Sequence, residues 1–168
     1  MSKVLKEKKK IKTICGSEVN VLCIADDFKE AYKRCARGEN LRREDCYRMV
    51  ADCVNIPAIV NGAFACELYL KSITKTDQCI HKIKELYLML PAEKQESLRK
   101  AMDPIIPKQY GLSFDECLDD IPNSFVYWRY IYEKDSVGKL GLNGTLMILP
   151  KLIDELSKMA HEKDSQNS

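Results

Sequence analysis

The sequence is poor in the residues that usually announce catalysis or metal binding. It has only two histidines, His81 and His161, and neither lies near a cysteine pair or the other histidine, so no metal site is expected. Its eight cysteines include no CxxC and form no compact framework, which points to reduced, small apolar side chains in a cytoplasmic protein. No serine sits in a GxSxG elbow, and the glycine-containing stretch GKLGLNG at 138 to 144 lacks the spacing of a phosphate-binding loop. No cofactor is expected. The longest run without a charged residue, Cys53 to Cys66, has 14 residues and includes two asparagines, a proline and a glycine, too short and too polar to span a bilayer. No apolar signal-peptide core follows the lysine-rich start, so no membrane association is expected.

What remains is an ordinary globular composition. With 168 residues, 45% hydrophobic and 31% charged, the chain can bury one substantial core. The formal charge of +2 conceals an asymmetry, because residues 1–13 hold six lysines against one glutamate and leave the rest slightly acidic. Residues 1–13 therefore read as a solvated basic arm, 14–162 as a folded domain and 163–168 as a polar, disordered tail. The basic residues between Lys33 and Arg48 alternate with Glu39, Glu44 and Asp45, as on a solvated helix face.

The apolar spacing predicts an all-α protein. Leu22, Ala25, Phe28 and Tyr32 recur at steps of three and four within 19–37, ahead of a stop at Gly38-Glu39-Asn40. A second helical stretch covers about 41–54, and Asn55-Ile56-Pro57 marks either a kink or a new start. Ala58 to Ile73 is apolar nearly all round and should lie at the centre. Thr76 or Asp77 is expected to cap the next helix, with Ile83, Leu86 and Leu90 as its stripe, and Pro91 begins another. DPIIPKQYGL at 103–112 reads as a loop, and Ser113 with Glu116 forms a capping box for a short helix. A loop with glycines at 138, 141 and 144 leads to a last helix carrying Leu146, Leu149, Ile153, Leu156 and Ala160.

Two segments stand apart. In NSFVYWRYIYEKDS, 123–136, five of the eight residues of FVYWRYIY are aromatic, a strand-like composition that surrounds the fixed cation Arg129. In PAIVNGAFACELYLKSIT, 57–74, Glu67 is a carboxylate among apolar and tyrosine side chains, costly unless paired. Arg129 is the expected partner of Glu67, or of Glu133 four residues on, with tyrosines 127, 130 and 132 supplying hydroxyls and ring faces.

PAIVNGAFACELYLKSIT followed by HKIKELYLMLP resembles the HEPN superfamily of small helical domains, through Glu67, Lys71, His81, Leu86 and Leu90, over roughly 57–160. The resemblance implies an antiparallel bundle of about five helices with the aromatic segment as the later helix. It also implies binding positions at Glu67, Lys71, Arg129 and Tyr130, a two-fold homodimer through the aromatic segment, and a nucleotidyltransferase-like partner protein in a defence or toxin-antitoxin setting.

The superfamily's metal-independent RNA cleavage rests on an arginine followed by a histidine after four to six residues. Arg129 fits the first position, but 134, 135 and 136 are lysine, aspartate and serine. The expectation is therefore a module that binds a nucleotide, RNA or another protein without ribonuclease activity. The runner-up is an active ribonuclease with a non-standard site drawn from Arg129, Glu133 and His81. A third reading is a helical scaffold whose resemblance is superficial.

Overall fold

In the computed structural model, the described residues are 13–14, 17–18, 20–37, 56–76, 78–106, 108, 111–121 and 142–165. Two-residue strands β1 (Thr13–Ile14) and β2 (Ser17–Glu18) form a small antiparallel ladder. Six α-helices follow among the described residues: α1 (Val21–Arg37), α2 (Ile56–Thr74), α3 (Ile83–Leu88), α4 (Ala92–Met102), α5 (Phe114–Asp120) and α6 (Leu142–Ser165). The fold is all-α, a bundle with α2 against α1, α3 and α6.

The all-round apolar character of α2 explains its central place. Ala58, Ile59, Ala63, Ala65, Cys66, Tyr69, Leu70 and Ile73 are all buried. From α1 the predicted stripe arrives, with Leu22 and Ala25 buried and Phe28 and Tyr32 partly so, and Phe28 meets Phe64 edge to face at 4.5 Å. Asn20 starts α1 by accepting the Leu22 amide at 2.9 Å. From α6 come Ile148, Leu149, Leu152, Ile153 and Leu156. Gly62 permits a close approach, since a methyl group there would stand 3.0 Å from Ile153, Leu149 and Tyr32 side-chain carbons.

Local signals place several boundaries. Pro57 lies in the first turn of α2, where its missing amide hydrogen costs nothing. Ser113 and Glu116 form the predicted reciprocal capping box at the start of α5. The 103–112 segment opens with a 3₁₀ turn, Asp103–Ile105, and includes Gly111 at φ 61°.

Other boundaries differ from expectation. Thr76 does not cap a helix: its hydroxyl accepts the Gln78 amide, and α3 begins only at Ile83 after an extended Lys82, while the alternative Asp77 lies outside the described residues. The stripe is nonetheless right, as Ile83, Leu86 and Leu90 are buried. Gly144 lies within α6, not in a loop, and α6 continues through Pro150 to Ser165, into the expected tail. Burial of Ile148 and Leu149 just before Pro150 and of Leu152 and Ile153 just after it outweighs the proline's local penalty. At the far end, the His161 ring donates from Nδ1 to the Ser157 carbonyl at 2.8 Å and approaches Asp26 of α1 at 3.2 Å, which secures the last turns. Thr13, the last residue of the expected arm, belongs to β1. The helix expected at about 41–54 lies outside the described residues.

Candidate polar site at the edge of the central helix

Glu67 is a buried carboxylate on a largely apolar helix, and the fold gives it two partners. Lys71, one turn further along α2, places Nζ 2.7 Å from Oε1. The chain leaves α2 through Lys75, which adopts a left-handed φ of 54°, and returns so that His81 sets Nδ1 3.0 Å from the same oxygen. The side chains of Glu67 and Lys71 are 7% and 17% exposed, whereas that of His81 is 71% exposed. The cluster thus runs from a buried anion to a surface imidazole.

The electrostatic logic is simple. A lone carboxylate among Cys66, Tyr69 and Leu70 would be strongly disfavoured, and an adjacent ammonium offsets its loss of water. Glu67 and Lys71 are separated by the i,i+4 spacing that brings side chains together on a helix, so this pair was readable from the sequence. His81 lies two residues before the start of α3, and its ring meets a carboxylate.

Three of the residues singled out in the sequence, Glu67, Lys71 and His81, therefore share one oxygen atom. Arg129, Tyr130 and Glu133 lie outside the described residues, as does the rest of the aromatic segment. The partner expected for Glu67 was Arg129; among the described residues its partners are Lys71 and His81.

Sequence reasoning missed a second polar cluster at the α1–α2–α6 contact. Tyr69, wholly buried, donates from its hydroxyl to Asp26 Oδ1 at 2.7 Å, while His161 Nε2 lies 3.2 Å from Oδ2. Burial pushes the Tyr69 phenol well above its ordinary range, so it is a fixed donor. Burial likewise pushes up the Cys66 thiol. Nearby, Lys29 of α1 pairs with Asp154 of α6 at 2.9 Å. A tyrosine on the most apolar helix was the only hint, since such a hydroxyl needs a partner.

No group of three or more metal-ligating side chains occurs among the described residues, and none of their helices is long and apolar enough to cross a membrane. Compared with models of known families, with curated proteins and with solved structures, the chain matches none of them.

Proposed function

We propose that this chain is a HEPN-like helical module that binds RNA or a nucleotide and does not cleave RNA by the superfamily's usual arginine–histidine route. The observation that carries the reading is the convergence of Lys71 and His81 on Glu67 at the edge of the bundle. It leaves a histidine ring at the surface of a stretch, 71–84, that also contains Lys71, Lys75, Lys82 and Lys84, of which Lys71 pairs with Glu67, Lys82 with Glu85 and Lys84 with Asp119. Such a stretch suits a phosphate-bearing ligand, which lysines attract by charge and an imidazole contacts by directed hydrogen bonding. The missing histidine at 134–136 supports the absence of the usual cleavage chemistry, because proton transfer near neutral pH is a task suited to histidine.

Titrating the full chain with a fluorescein-labelled oligouridylate tests the reading. Saturable binding that weakens with salt is expected, with the RNA intact on a denaturing gel. Cleavage abolished by Arg129→Ala would instead support the non-standard ribonuclease, and no binding would leave a protein-interaction module as the better reading. The same resemblance motivates a homodimer and a nucleotidyltransferase-like partner in a defence or toxin-antitoxin setting. A concentration-independent monomer mass by light scattering would remove the dimer from this proposal.

A further inference from the structure

The Glu67–His81 contact fixes more than the position of a ring. An ionised carboxylate accepts hydrogen bonds and cannot donate them, so His81 Nδ1 must carry the hydrogen at this 3.0 Å contact. In the neutral imidazole that leaves Nε2 without a hydrogen, as an acceptor. No described residue bonds to Nε2, and the side chain is 71% exposed. The neutral ring therefore offers a solvent-facing acceptor whose tautomer is selected by Glu67, itself held by Lys71 at 2.7 Å.

We infer that His81 Nε2 accepts a hydrogen bond from a ribose hydroxyl of the bound ligand, so that the site distinguishes RNA from DNA. The inference rests on the proposed function and narrows it to the sugar. A bare acceptor is badly suited to a phosphate oxygen, which has no hydrogen to give, and well suited to a hydroxyl. The neighbouring Lys75 is exposed and can meet the phosphates of the same strand, as can Lys82 if it leaves Glu85, with which it pairs at 2.8 Å. The 2′-hydroxyl, absent from DNA, is then the group that His81 reads. In this scheme Glu67 is a positioning residue: it sets which ring nitrogen carries the hydrogen and does not touch the ligand.

The test compares a labelled oligouridylate with its 2′-deoxy counterpart on the full chain, with thermal melting as a folding control. The wild type is expected to favour the RNA by about five- to tenfold, the scale of one hydrogen bond. His81→Asn keeps an amide that can still donate to Glu67 but has no atom at the Nε2 position. It is expected to retain the melting temperature and lose the preference for RNA. Long-range proton–nitrogen NMR of the unbound protein near neutral pH should show the His81 hydrogen on Nδ1, and Glu67→Gln should weaken that tautomer and the sugar preference together. Equal wild-type binding of both strands, an unchanged preference in His81→Asn, or a hydrogen found on Nε2 would each overturn the inference while leaving RNA binding intact. Binding of neither strand would overturn the proposed function and this inference with it.

Discussion

Lys71 Nζ and His81 Nδ1 meet the same carboxylate oxygen of Glu67, at 2.7 and 3.0 Å, one from the next turn of the helix and the other from a returning segment. The first contact is local and the second tertiary, so their energies can be separated. Lys71→Met should destabilise the fold by about 2 kcal/mol, the scale for removing a charged hydrogen-bond partner from a mostly buried group. The paired change Glu67→Met with Lys71→Met should recover most of that loss, because two apolar side chains replace the ion pair without leaving either charge alone. Chemical denaturation of the two single variants and the double variant measures this coupling, and simple additivity would show that the pair contributes little.

Gly62 faces side chains of both α1 and α6 at close range. Gly62→Ala adds a methyl group 3.0 Å from carbons of Ile153, Leu149 and Tyr32. The alanine gains helix propensity of about 1 kcal/mol, but crowding in a packed core costs about 1–3 kcal/mol. A net loss of about 1 kcal/mol is expected, read as a lower melting temperature. An increase would mean that these three side chains give way freely.

Acid should weaken the protein in a definite direction. The Ser113 backbone amide and hydroxyl hold the Glu116 carboxyl below its ordinary range, and hydrogen bonds from Lys151 and then Lys158 do the same for Glu155. A carboxyl whose folded value is lowered contributes stability above the unfolded value, about 4.3, and that contribution disappears as pH falls through the folded value. Melting curves of the wild type and of Glu155→Gln should therefore differ most near neutrality and converge below about pH 4. A gap that widens in acid would contradict this assignment.

The cysteines should differ sharply in reactivity. Cys23 and Cys79 are exposed, whereas Cys66 is wholly buried and its thiol is pushed up by that burial. Brief iodoacetamide treatment of the native protein, followed by peptide mass mapping, should modify Cys23 and Cys79 and spare Cys66 until denaturant is added. Fast native labelling of Cys66 would indicate that α2 opens readily.

Legibility followed the distance over which each constraint acts. The Ser113–Glu116 box spans one helical turn, and its sequence spacing already contains its geometry. The burial of Ile83, Leu86 and Leu90 was equally readable because a stripe at three and four states which face turns inward. The start of α3 was not, since Thr76 has the right chemistry for either a helix cap or a turn and local preference does not choose between them.

By itself the sequence determined that the chain folds as helices, that Ala58 to Ile73 lies at their centre, and that Glu67 needs a partner. Each follows from short-range periodicity or from the cost of burying a charge. Only the tertiary structure decided which groups meet that need from outside the helix, and that Tyr69, Asp26 and His161 share a second cluster. Those choices depend on the path of the chain after Thr74 and on the docking of α1 and α6 against α2. Helical spacing says which face of a helix is apolar, but not which distant side chain arrives at its edge.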